Sequence, residues 1–173
     1  MQNYNEINHH FQTPQWVCDI MASLVDGSPK KILEPTPGQG NLVKALRHHF
    51  PTADIVLEHD ILTLQTNEPV RDFMAMSPRP VDWVVANPPF TPMTLGYQML
   101  DRFFSFSPNV IALMPWLVLI NSQARTAQLI QRGLCHVIHL PRTAFPGARV
   151  QTCILKFKEG HKGTVSLTFV EAP

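Results

Sequence analysis

The chain has 173 residues and 19.6 kDa, 45% of them hydrophobic and 16% charged, which is enough for one complete core and too little for two. A net charge of +1 and a pI of about 7.8 exclude a global basic field, so any nucleic acid would have to be met by a local patch. No apolar run reaches the roughly 20 residues of a membrane-spanning helix, and the polar start lacks both halves of a secretory signal, so a soluble, cytoplasmic protein is expected.

Reading from the amino terminus, Thr13 is expected to cap a first helix. Pro14 lies in its first turn, and apolar pairs at Trp16/Val17, Ile20/Met21 and Leu24/Val25 share one face. Residues 31–34 read as a short strand and 35–40 as a tight loop, after which Asn41 caps a second helix running to Phe50. Strands are predicted over 54–57, 81–86, 110–114, 136–140 and 150–157, and helices over 93–104 and 122–132. This alternation predicts an α/β sandwich with a mostly parallel sheet, whose ligand sites lie beyond the carboxyl ends of the strands. The final strands, 150–157 and 164–170, leave no room for a helix between them, which predicts an antiparallel C-terminal hairpin.

Cys18, Cys135 and Cys153 stand far apart among apolar neighbours and read as reduced, buried thiols. The pairs His9/His10 and His48/His49 have no completing ligands, so no metal site is expected.

Two loops carry the chemistry. The first, Glu34-Pro-Thr-Pro-Gly38-Gln-Gly40, joins a strand to a helix, where backbone donors and the helix terminus can receive a polar ligand. A dinucleotide fingerprint would place a third glycine where Val43 stands, and no Lys-Ser/Thr follows for a phosphate loop. An acidic residue closing the strand before two glycines suits a ligand with a cationic end and a ribose, such as S-adenosylmethionine. Glu58 lies 20 residues beyond Gly38, the interval at which a second strand delivers a carboxylate to ribose hydroxyls, and Asp60 competes for that role.

The second loop is Asn87-Pro88-Pro89-Phe90, at the end of an apolar strand. Its prolines lock φ and remove two backbone donors, leaving carbonyl acceptors and the Asn87 amide. A planar amine would give its two hydrogens to the Asn87 side-chain oxygen and the Pro88 carbonyl while Phe90 stacks on its ring. Such stacking is worth about 1–3 kcal/mol per base.

Taken together, the segments resemble the amino-methyltransferases that use S-adenosylmethionine, particularly those acting on adenine N6 in DNA. Phe11-Gln-Thr13-Pro14 is similar to that family's methionine-contacting segment, the Glu34–Gly40 loop to its cofactor loop, and Asn87–Phe90 to its catalytic motif. Residues 111–115, 140–142 and 145–154 are similar to its later strands and to the loop bordering the target base. The resemblance implies a Rossmann-like class I methyltransferase sandwich, with 1–173 a single catalytic domain lacking a separate target-recognition domain. It implies cofactor contacts at Phe11, Thr13, Pro14, Glu34, Pro35, Thr36, Gly38, Gly40, Glu58, Asp60 and Asn87, and catalytic roles for Asn87, Pro88, Pro89 and Phe90. An RNA base or a protein glutamine amide are alternative acceptors, and a non-catalytic S-adenosylmethionine-binding module is the rival of another class.

Basic residues gather late in the chain, where Arg142, Arg149, Lys156, Lys158 and Lys162 face only Glu159 over the same interval. Arg142, Arg149, Lys156 and Lys158 are the expected phosphate contacts for nucleic acid, probed by salt dependence. With no recognition region of its own, the chain is expected to draw specificity from a separate subunit or from a homodimer.

Overall fold

The computed structural model describes residues 12–57, 72–148 and 150–173. The helices are α1 (Gln15–Ser23), α2 (Asn41–His49), α3 (Met93–Phe103) and α4 (Gln123–Gln131). The strands are β1 (Lys31–Glu34), β2 (Asp54–Leu57), β3 (Trp83–Ala86), β4 (Val110–Pro115), β5 (Leu134–His139), β6 (Thr152–Phe157) and β7 (Ser166–Phe169). They form one seven-stranded sheet in the order β2-β1-β3-β4-β6-β5-β7. The pairs β1·β2, β1·β3, β3·β4 and β5·β7 are parallel, while β6 runs antiparallel between β4 and β5.

The apolar runs make the central strands because both faces are covered. Every residue of β3 and β4 is buried, as a sheet sandwiched between helices requires. Alternating side chains divide the core in two. Ile32, Val85 and Ile111 join Val17, Met21, Leu42 and Leu46 of α1 and α2 on one face. Leu33, Val84 and Ala112 join Leu100 and Phe103 of α3 and Leu129 of α4 on the other. From β1 the chain steps outward to β2 and then returns to place β3 on the opposite side of β1. Strand order therefore reverses at the β1/β3 boundary, the place in an open α/β sheet where a crevice opens beyond the carboxyl ends.

The predicted C-terminal hairpin is corrected in its pairing. The antiparallel strand is there, but β6 has β4 on one edge and β5 on the other and no edge left for β7, which attaches to the outer edge of β5. It does so in parallel, from His136↔Ser166 to His139↔Phe169. All four residues of β7 are exposed.

Two helix starts also differ from expectation. Pro14, not Thr13, is the N-cap of α1, and no side chain caps that helix. Gly40, with φ +81°, precedes α2, and Asn41 is its first helical residue. In both cases a side chain suited to local capping reaches across the chain instead. The Asn41 Nδ2 donates to the Thr13 carbonyl at 3.1 Å, and Thr13 itself is taken up by the site. Ser122, by contrast, caps α4 locally, accepting from the Arg125 backbone N–H.

Cys18 and Cys153 are buried free thiols, and Cys135 is partly covered. Burial pushes the Cys153 thiol up to about 12. Burial does the same to Cys18, also up to about 12, helped by the negative charge of Glu34.

Candidate active site

The last residue of β1, Glu34, is only 1% exposed, a carboxylate set at the switch point. Its Oε1 accepts from the Thr36 backbone N–H at 2.8 Å and lies 3.1 Å from the Thr36 hydroxyl. The loop then turns through Gly38 (φ +51°) and Gly40 (φ +81°), both in the left-handed region that favours glycine. The Gly40 N–H closes the turn on the Pro37 carbonyl at 2.7 Å, and α2 begins. Gln12 lies over this loop: its Oε1 accepts from the Gln39 N–H at 3.2 Å, and a Cβ on Gly38 would stand 3.0 Å from the same oxygen.

One strand away, β3 delivers Asn87. Parallel pairing of β1 with β3 puts the carboxyl ends of the two strands side by side, and Thr36 joins them. The Thr36 hydroxyl is 3.1 Å from the Asn87 carbonyl oxygen and the same distance from Glu34 Oε1, so its single proton serves one acceptor at a time. The Asn87 side chain is held independently, its Nδ2 donating to the Thr13 hydroxyl at 2.8 Å. Thr13, Glu34, Thr36 and Asn87 thus form one connected network drawn from three parts of the sequence.

Pro88 is buried and Pro89 exposed. Phe90 is half-buried, its ring packed against the core formed with α1 and α2. Behind the turn, α3 approaches so closely that a Cβ on Gly96 would be 2.9 Å from the Pro89 carbonyl oxygen.

The other expected residues fall as follows. Pro35 is buried beneath the glycine loop, and the Pro14 carbonyl starts α1 by accepting from Val17 and Cys18. Arg142 is exposed in a short turn after β5, at the carboxyl end of the parallel strands. Phe11, Glu58, Asp60 and Arg149 lie outside the described residues. Lys156 and Lys158 do not join the site. Lys156 pairs in register with Ile111 near the start of β4, and its Nζ donates to Asp26 at 2.7 Å while lying over the Trp83 ring. Lys158 reaches the other oxygen of Asp26 at 3.0 Å. The single carboxylate of Asp26 thus pairs with both lysines at the end of the sheet opposite Asn87.

Three contributions had not been foreseen: the contact of Gln12 with the glycine loop, the reach of Asn41, read only as a helix cap, to Thr13, and the close approach of Gly96. Only Gly96 carried a sequence signal, a glycine inside a helical pattern, which marks close packing. The roles of Gln12 and Asn41 depend on contacts 27 and 28 residues away in the chain.

Solved structures share this architecture. A type I restriction-modification methyltransferase subunit from Streptococcus thermophilus superposes with a TM-score of 0.62 at 18% identity, over 88% of this chain and 45% of its own. The EcoKI M protein, from another type I restriction enzyme, gives 0.64 at 14% identity, over 90% of this chain and 44% of its own. A dimethyladenosine transferase from Plasmodium falciparum gives 0.56 at 19% identity, over 86% and 62%. The chain spans less than half the length of the two type I subunits. No family model and no curated protein matches the sequence. The fold is that of the class I methyltransferases, Rossmann-like with one antiparallel strand in a mostly parallel sheet.

The donor set defines what this site can hold. A buried carboxylate at the switch point sets a negative field there, which favours a cationic ligand over an anionic one. Asn87 and the proline carbonyls offer acceptors with few competing donors, which favours an amine over a carbonyl.

Proposed function

We propose that the chain transfers a methyl group from S-adenosylmethionine to an exocyclic amino group, N6 of adenine in DNA, as the catalytic domain of a methyltransferase. The observation that supports this most directly is the Thr36 bridge, which sets a buried carboxylate and an amine-accepting asparagine 3.1 Å from one hydroxyl. The cofactor would lie along Phe11, Thr13, Pro14, Glu34, Pro35, Thr36, Gly38 and Gly40, beside Asn87, with Glu58 or Asp60 on its ribose.

S-adenosylmethionine supplies an electrophilic methyl carbon on a sulfonium. The chain's own residues do the rest. Glu34 provides the negative field that a cationic ligand requires, and Asn87 with the Pro88 carbonyl holds the amine with its lone pair turned to the methyl. Pro89 fixes the turn, and the part-open ring of Phe90 offers a stacking surface. Holding nucleophile and electrophile in line is the main catalytic contribution, since alignment alone is worth many orders of magnitude in effective molarity. A base in duplex DNA must be flipped out to reach such a turn. Arg142, exposed beyond β5, and Arg149 would meet phosphate, and sequence preference would come from a specificity subunit or a second copy.

Labelled-methyl transfer across DNA, RNA and protein acceptors tests the reading. Label on adenine N6 of DNA is expected. Label confined to RNA or to glutamine would reassign the acceptor, and cofactor binding with no transfer to any acceptor would make the chain a binding module.

A further inference from the structure

We infer that Thr13 is a positioning residue for Asn87, setting the direction of its side-chain amide before an acceptor arrives, and not chiefly a contact for the cofactor. In its kinetic part this inference rests on the methyl-transfer reading. The geometric part stands without it.

A threonine before Pro14 at the start of α1 is suited to cap that helix. Thr13 does not take it: α1 has no side-chain cap. The hydroxyl instead accepts from Asn87 Nδ2 at 2.8 Å, across 74 residues of sequence. Helix stability does not account for that placement.

Thr13 is also held firmly enough to orient another group. It is only 6% exposed, and its carbonyl accepts from Asn41 Nδ2 at 3.1 Å and from the Cys18 thiol at 3.6 Å. Asn41 opens α2 and Cys18 lies within α1, so the anchor draws on both helices. Asn87 is then fixed twice, through its amide by Thr13 and through its backbone carbonyl by Thr36. An asparagine on a surface turn otherwise samples several amide orientations. With the nitrogen end of the amide held by Thr13, its orientation is set before an amine arrives. That arrangement readies the acceptor in advance, which is where alignment contributes to rate.

The test compares Thr13→Val, nearly the same shape without the hydroxyl, with Thr13→Ser, which keeps it. Thr13→Val should lower kcat about ten- to a hundredfold, with KM for S-adenosylmethionine within about twofold, and Thr13→Ser should recover most of the loss. Side-chain amide exchange of Asn87, followed by nuclear magnetic resonance and assigned with Asn87→Asp, supplies a readout independent of turnover. Its Nδ2 protons should be protected in the wild type and in Thr13→Ser and exchange faster in Thr13→Val. A raised KM for the cofactor with unchanged kcat would return Thr13 to cofactor binding. Equal defects in the serine and valine variants, or unchanged amide exchange, would also overturn the inference. If the wild type transfers no methyl group, the functional reading fails, while the exchange experiment still decides whether Thr13 holds Asn87.

Discussion

Gly96 of α3 sits directly against the carbonyl of Pro89, leaving no room for even a methyl group: a Cβ there would approach the oxygen to 2.9 Å. The contact is backbone, so no flexible side chain can yield. Gly96→Ala should gain about 0.5–1 kcal/mol of helix propensity and lose it again to the collision. The turn carrying Asn87 must shift to relieve it. Stability should change little while methyl transfer falls by at least tenfold, a pairing that thermal unfolding and a transfer assay on one preparation would reveal. Unchanged turnover would mean that the Asn87–Phe90 turn tolerates displacement.

How far the sequence led is clear at such positions. The strands and helices were legible because burial on both faces writes long apolar runs, as in β3 and β4, and one-sided burial writes a helical stripe, as in α1. The order of the last strands was not, because adjacency in sequence says nothing about which edge is already taken. β6 fills the slot between β4 and β5, and β7 takes the outer edge of β5. Glu34 and Asn87 could each be picked out as residue types at strand ends. Their connection through Thr36, and Asn87's through Thr13, could not, since the first depends on β1 and β3 being neighbours and the second on a contact across 74 residues of sequence. Charge counted along the chain likewise does not show that Asp26, 130 residues from Lys156, lies against both Lys156 in β6 and Lys158 just beyond it.

Asp26 therefore supports a structural role for Lys156 and Lys158. Burial tends to raise its carboxyl, but hydrogen bonds and charges from Lys156 and Lys158 outweigh this and hold it below the ordinary value. A depressed acid stabilises the fold above its unfolded pKa, and that contribution disappears as pH falls through the folded one. The group is half-exposed, so Asp26→Asn should cost no more than about 1 kcal/mol near neutrality and nothing at strongly acid pH. Lys156→Ala should likewise reduce stability without changing the salt dependence of nucleic-acid binding. A shallower salt slope in that variant would restore Lys156 as a phosphate contact.

His136 ties β7 to the sheet through a 2.8 Å hydrogen bond with Thr168. Partial burial, with the nearby Lys156 charge, holds its imidazole below the usual value. The unfolded chain then binds more protons than the folded one between the depressed and the ordinary pKa, so stability rises with pH across that window. Acidification from about pH 7 towards 5 should loosen β7, seen as lower amide protection at Leu167 and Phe169 once the intrinsic pH dependence of exchange is divided out. In His136→Asn the exchange of these amides should lose that pH dependence. If it keeps the wild-type profile, another group controls the edge.

The sharpest separation between binding and chemistry is expected at the Asn87 turn. Asn87→Ala removes the side-chain acceptor and its bond to Thr13, while Glu34, Thr36 and the glycine loop keep their own contacts. Phe90→Ala removes a ring that also packs against the α1–α2 core, so it should lower stability as well, by about 1–3 kcal/mol for a half-buried aromatic. Both variants should lose methyl transfer by two orders of magnitude or more and retain S-adenosylmethionine affinity within a few-fold, measured by calorimetry. Gly38→Val should do the reverse. Its branched side chain would force an unfavourable left-handed backbone and crowd Gln12, disturbing the cofactor loop first. If Asn87→Ala turns over normally, the amine is held by something other than this asparagine and the mechanism fails. If it loses cofactor affinity as steeply as turnover, the Asn87 side chain serves to hold the turn to Thr13 and not to meet the acceptor.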